Sequence, residues 1–223
     1  MIYAKRNGFT LIELMLAMTF LSILLIAIAT VTMQITHLYD KGQTIKSINQ
    51  SGREVIASVR RDARTMGTLS QRFVSPTSGN GLGRLCLGSI SYVWNSAADL
   101  NDPTAGVKYI KSNGTNGARI VMARVQDAGG AYCRDVSNTD VFESESTEML
   151  KGDGKDLAIY NVDWQLLSPA GSIPQLYMLR FTLGTNDAET VDTADYSCKP
   201  PADVKSNYDF CSVNDFGILL SVE

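Results

Sequence analysis

Apolar residues fall along this chain in three rhythms, each predicting a different element. From Phe9 to Met33 they are nearly continuous, mostly Leu, Ile, Ala, Met and Phe, with Glu13 the only charged residue. That run exceeds the roughly 20 apolar residues a helix needs to cross a bilayer. Beyond it, Leu38, Ile45, Ile48, Val55 or Ile56, Val59, Ala63 and Met66 recur mostly every three or four positions, while Lys41, Lys46, Arg53, Arg60, Arg61 and Arg64 mostly avoid that stripe. This is the pattern of an amphipathic helix. No proline occurs before Pro76, so the two runs read as one helix, about 87 Å long from Phe9 to Met66 at 1.5 Å per residue. Gly42 and Gly52 are its weak points, each costing about 1 kcal/mol against Ala. They read as hinges or, more commonly in such helices, as tolerated glycines.

After "SPTSGNGLG" the rhythm shifts to period two. In "LAIYNVDWQLL" the residues Ala158, Tyr160, Val162, Trp164 and Leu166 fall on one face; in "QLYMLRFTLG" Tyr177, Leu179, Phe181 and Leu183 do the same. Joined through "SPAGSIP", these predict an antiparallel hairpin. "RLCLGSISYVW", "GVKYI" and "ARIVMARV" are further strand candidates, and "FGILLSV" closes an edge. "NSAADLNDPTAG" and "SNTDVFESESTEMLKGDGKD" read as long loops suited to partner contacts. The predicted fold class is α+β: a long N-terminal helix, membrane half plus amphipathic half, packed against a C-terminal antiparallel β-sheet head.

Glu13 is costly where it stands, since an acidic residue at the middle of a membrane helix costs roughly 2.5–3.5 kcal/mol and usually has a partner. Lys5 and Arg6 precede the span and no Lys or Arg follows until Lys41, which keeps the N-terminus in the cytoplasm and sends the head outward. A secretory signal would have a shorter apolar core and a cleavage site after it. The stretch "GFTLIELMLAMTFL" instead resembles the class III signal of type IV prepilins and of the pseudopilins of type II secretion. There a short basic leader ends in Gly, Phe usually follows, and a Glu lies four residues beyond; Gly8, Phe9 and Glu13 occupy those places. The resemblance implies cleavage between Gly8 and Phe9 by a prepilin peptidase, N-methylation of Phe9, residence in the inner membrane, and entry into a helical filament beside other pilins or pseudopilins. Four helical residues rise about 6 Å. Glu13 of one subunit could thus meet the cationic Phe9 terminus of a neighbour shifted along the axis, a subunit-assembly role in a layer where neutralisation counts for far more than on a wet surface.

The implied organisation is a cleaved leader over 1–8, a transmembrane and filament-core helix over 9–35, an amphipathic half over 36–67, and a β-rich head over 68–223. The chain has 223 residues and a formal net charge of −3. Loss of the leader removes Lys5 and Arg6 and leaves it more acidic, which argues against nucleic-acid binding. Cys86, Cys133, Cys198 and Cys211 all lie on the outward side, an even count that fits two disulfides in an oxidising compartment. Three pairings are open; Cys198 with Cys211 and Cys86 with Cys133 are favoured. The first would bound the Pro200-Pro201 segment, and a disulfide-bounded segment near the C-terminus is a common surface feature of the pilins that the chain resembles.

The single histidine, His37, is far from every cysteine, so no zinc pattern, His-dependent triad or phosphate loop can be read. "DGKD" with Glu148 nearby lacks the spacing of a known calcium loop and reads as a solvated turn. No cofactor, metal or catalytic residue is predicted, and the chain reads as no enzyme. Several major pilins carry a proline in the membrane half; its absence here departs from the bulk subunits. The helix end "REVIASVRRDARTM" resembles that of the larger minor pseudopilins and minor pilins, the J-type component of the secretion pseudopilus among them, although an Arg-rich helix end also suits the helix dipole. The reading is a minor pilin acting in filament initiation or near the tip of a type IV pilus. Glu13 itself argues against the extreme tip, since the terminal K-type pseudopilin typically lacks it. A minor pseudopilin of type II secretion, and a pilus-borne adhesin or uptake receptor, are the alternatives. Its location is the inner membrane, then a periplasmic or extracellular filament.

Overall fold

The predicted helix forms as α1 (Leu11–Thr65) and runs through Gly42 and Gly52. With no proline inside it, each donor beyond the first turn can pair with the carbonyl four residues back. The computed structural model describes residues 10–65, 72–76, 81–102, 106–150, 156–169, 174–187, 189–192, 194–199 and 210–222. It divides the chain into two units, Met1–Asp40 and Lys41–Glu223. Within the first unit, the described apolar side chains of α1 are exposed on every side from Leu11 through Tyr39, as suits a surface meant for lipid or for other helices rather than water.

In the second unit, the elements after α1 run β1 (Arg72–Val74), β2 (Gly83–Leu87), β3 (Ile90–Trp94), α2 (Ala97–Asn101), β4 (Tyr109–Ser112), β5 (Thr115–Arg119), β6 (Ala123–Gln126), α3 (Ala131–Arg134), β7 (Val141–Phe142), β8 (Ser146–Glu148), β9 (Leu157–Leu166), β10 (Gln175–Thr185) and β11 (Val213–Val222). Among the described residues, the strands build three sheets: β1-β2-β3-β6-β8, β11-β10-β9, and β5-β4-β7. All pairs are antiparallel except β4 with β7.

One buried cluster collects Ile48, Val55, Val59 and Ala63 of α1, Leu85, Leu87, Tyr92 and Trp94 of the five-stranded sheet, and Leu179, Phe181, Leu183, Ile218 and Leu220 of β10 and β11. The amphipathic stripe is therefore the seam on which the head condenses. Alternation along β2 and β3 sends Cys86 and Val93 to the opposite face, into a second cluster with Ile120, Val125, Tyr132 and Cys133. The five-stranded sheet is thus buried on both faces.

Several sequence expectations change. Leu38 and Ile45 are exposed rather than on the seam, whose upper end is set by buried Thr44; Met66 lies outside the described residues. A register shift opposite Thr182 and Leu183 inserts a bulge at Tyr160 in β9, and a bulge reverses which side chains face inward. Leu157 and Ile159 therefore face the main core on one side of it and Val162 and Trp164 on the other, whereas Ala158 and Tyr160 pack against Ala97, Leu100 and Val107. The single strand expected over "ARIVMARV" is split, its ends belonging to β5 and β6 in different sheets. The segment expected as the first long loop contains α2, capped by Ser96, whose side chain accepts from Asp99 N. The second contains β7 and β8.

Candidate assembly site

The described N-terminal residues form a reciprocal cap. Glu13 Oε2 accepts from Thr10 N at 3.0 Å and from Thr10 Oγ1 at 2.9 Å, and Glu13 N donates to Thr10 Oγ1 at 3.3 Å. Two donors that begin a helix without partners are satisfied this way, and the carboxylate sits where the helix dipole favours negative charge. The sequence places the partner of Glu13 in a neighbouring subunit; the structure adds Thr10 as a hydrogen-bonding partner within its own chain. The T-x-x-E spacing was the signal for this. Gly8 and Phe9, expected to flank the cleavage site and to carry the methylated terminus, lie outside the described residues.

Every other polar side chain between Leu11 and Met33 is turned back onto the helix. The hydroxyls of Thr19, Ser22, Thr30 and Thr32 donate to the carbonyls of Leu16, Met18, Ala27 and Ile28. Hydrocarbon offers no partner for such groups, so internal satisfaction is what a spanning helix needs. α1 is long and apolar enough to cross a membrane once, consistent with a single-pass membrane protein.

At the other end of α1, Asp62 fastens the helix to the head. It occupies the stripe between Val59 and Ala63, is buried, and accepts from Arg124 Nε at 2.7 Å, from Arg124 Nη2 at 3.0 Å, and from the Tyr92 hydroxyl. Burial works against its charged form, but the Arg124 and Tyr92 hydrogen bonds prevail and hold its pKa below the usual carboxylate value. Burial, reinforced by Asp62, pushes Tyr92 well above the ordinary phenol range. Sequence reasoning missed this cluster; an acid standing on an apolar stripe was the available sign.

The cysteines are joined as Cys86–Cys133, with Cα atoms 6.2 Å apart, and Cys198–Cys211, with Cα atoms 5.9 Å apart. Residues 200–209 of the second loop lie outside the described residues. Arg84, beside the first bridge in β2, reaches the carbonyls of Tyr132, Asp135, Val136 and Asn138. That buried guanidinium and the disulfide hold the α3 segment together, another arrangement that period-two patterning cannot reveal. Glu148 is not a solvated carboxylate: it accepts from the backbone N–H groups of Val121, Met122 and Leu150 at 3.1, 2.8 and 3.1 Å. Of "DGKD", residues 153–155 lie outside the described residues, while Asp156 is 3.4 Å from Arg119. Among the described residues, no three His, Cys, Asp or Glu side chains are grouped to hold a metal.

Residues 3–29 match the family model described as the prokaryotic N-terminal methylation motif. This motif is the class III signal typical of type IV pilins and pseudopilins, which are structural rather than catalytic proteins. No curated protein and no solved structure matches the chain.

Proposed function

We propose that this chain, a type IV pilin-like protein by its N-terminal signal and assembly helix, is a minor pilin: a structural subunit that helps initiate a type IV pilus or lies near its tip. A prepilin peptidase cuts Gly8 from Phe9, Phe9 is N-methylated, residues 9–35 hold the subunit in the inner membrane with its N-terminus inside, 36–67 join that helix to the head, and 68–223 are the head exposed on the filament. The observation that carries this reading is the methylation motif at residues 3–29 running straight into an apolar helix with its hydroxyls internally bonded. A minor pseudopilin of type II secretion is the second reading, supported by the likeness of "REVIASVRRDARTM" to the helix ends of that group.

Glu13 is the residue on which the assembly reading turns. Its Oε2 is engaged by Thr10, and among the described residues Oε1 accepts no hydrogen bond, so one oxygen remains for the ammonium of a neighbouring Phe9. Glu13→Ala and Glu13→Gln should insert and be processed normally, yet enter filaments at least about tenfold less, the loss of one charge-assisted hydrogen bond. Thr10→Val, which removes the cap and keeps the carboxylate, should still assemble. Terminal sequencing together with crosslinking to the other pilins reads both steps. A mature terminus other than Phe9 overturns the processing assignment; normal incorporation of Glu13→Ala, or equal failure of Thr10→Val, overturns the role of Glu13 between subunits.

A further inference from the structure

The outer face of the β9–β10–β11 sheet, opposite the face that carries Val162, Phe181 and Phe216 to the core, presents its side chains in rows set by the strand registers. Asn161, Thr182 and Asp215 share one row, and Asp163, Arg180 and Gly217 the next. With Asp195 and Tyr196 alongside, these rows line a cleft of about 650 Å³.

Gly217 is the first unexplained feature. It lies within β11, where a glycine weakens a strand. Its φ is not positive, and a Cβ placed on it would meet nothing within 4 Å. Neither backbone conformation nor packing calls for glycine there. Such a residue often marks a place where another group approaches the strand closely, and here its missing side chain opens the cleft floor beside Arg180. Arg180 is the second feature. It forms no ion pair among the described residues, although Asp163 is its direct cross-strand neighbour. Around it, Thr182 Oγ1 donates to Asp215 Oδ1 at 2.6 Å and holds that carboxylate in place. Tyr196, in a left-handed conformation with φ 54°, forms part of the lining with its ring 5.8 Å from that of Tyr160.

The lining discriminates by charge. A free anion meets the carboxylates of Asp163, Asp195 and Asp215. A cation is drawn to those acids but finds a guanidinium in the central row. A neutral polyol suits both signs at once, because a hydroxyl can donate to a carboxylate while accepting from the guanidinium, and the apolar face of a sugar ring can lie on Tyr196. We propose that this cleft binds a neutral saccharide, with Arg180, Asp163 and Asp215 as its hydrogen-bonding groups and Gly217 as its open floor. The site goes beyond the assembly role and does not depend on it.

The test titrates the full chain, held in a detergent without sugar headgroups, with maltotriose, lactose and chitotriose, and with spermidine and sialyllactose as charged comparisons, read by saturation-transfer NMR. At least one neutral saccharide should bind saturably, and Gly217→Val and Arg180→Gln should each weaken it at least about tenfold. Gly217→Val should leave the melting temperature unchanged or raise it, since a β-branched residue suits a strand with free space above it. Arg180→Gln, at an exposed position, decides the question should the valine variant fold poorly. Binding by spermidine or sialyllactose alone, no binding by any of the three neutral saccharides, or undiminished binding by Arg180→Gln overturns the proposal.

Discussion

Gly52→Ala sets two energies of opposite sign against each other. Helix propensity favours Ala by about 1 kcal/mol at an interior position. Against it, a Cβ at residue 52 would lie 2.2 Å from Phe216 Cζ and 2.4 and 2.6 Å from the two Cε atoms, inside any tolerable carbon–carbon separation. The Phe216 ring would have to move, yet it stacks on buried Phe181 with centroids 5.2 Å apart and planes 18° from parallel. Overpacking costs about 1–3 kcal/mol, and disturbing an aromatic pair about 0.5–1.5 kcal/mol. The net expectation is destabilisation by about 1–2 kcal/mol. Phe216→Leu removes the obstructing ring, and in that background Gly52→Ala should stabilise by about 0.5–1 kcal/mol, a coupling between the two sites of about 2 kcal/mol. Urea unfolding of the full chain in detergent, followed by the fluorescence of Trp94 and Trp164, reads both values as midpoint shifts at constant slope. Stabilisation by Gly52→Ala in the unmodified chain would refute the close-approach argument and return Gly52 to the status of a tolerated helical glycine.

Asp62→Asn should cost about 2 kcal/mol at neutral pH, because it leaves half-buried Arg124 without its counter-charge. Folding lowers the Asp62 pKa from its ordinary 3.8, so the ion pair's contribution is intact above pH about 4 and fades as pH falls through the lower folded value. The variant's acid unfolding curve should therefore be flatter there than the native one; curves parallel down to pH about 2 would deny the linkage. The disulfides should differ in weight. With separations of 47 and 13 residues, loop closure predicts a loss of about 4 kcal/mol for the Cys86→Ser, Cys133→Ser pair and about 3 kcal/mol for the Cys198→Ser, Cys211→Ser pair. Chemical unfolding of the two variants gives the order, and a larger loss for the shorter loop would contradict it.

The chain's own pattern determines what depends on neighbours along the chain. α1 was legible over Leu11–Thr65 because helical pairing is local and its stripe recurs every three or four residues; the alternation in Tyr177, Leu179, Phe181 and Leu183 settled the inner face of β10 in the same way. Glu13 and its T-x-x-E spacing were equally open to reading, since a cap involves residues three apart. Tertiary structure decided the rest. Whether Tyr160 faces in or out depends on a bulge created by pairing with Thr182 and Leu183, more than twenty positions away. Whether Gly52 is a hinge or a contact depends on Phe216, and whether Asp62 is solvated or clamped depends on Tyr92 and Arg124. "ARIVMARV" reads as one short apolar strand, yet Glu148 takes the N–H groups of Val121 and Met122, groups that a continuous strand would give to a neighbouring strand. In each case the deciding partner is distant in sequence, and no local rhythm of apolar and polar residues encodes which distant group will arrive.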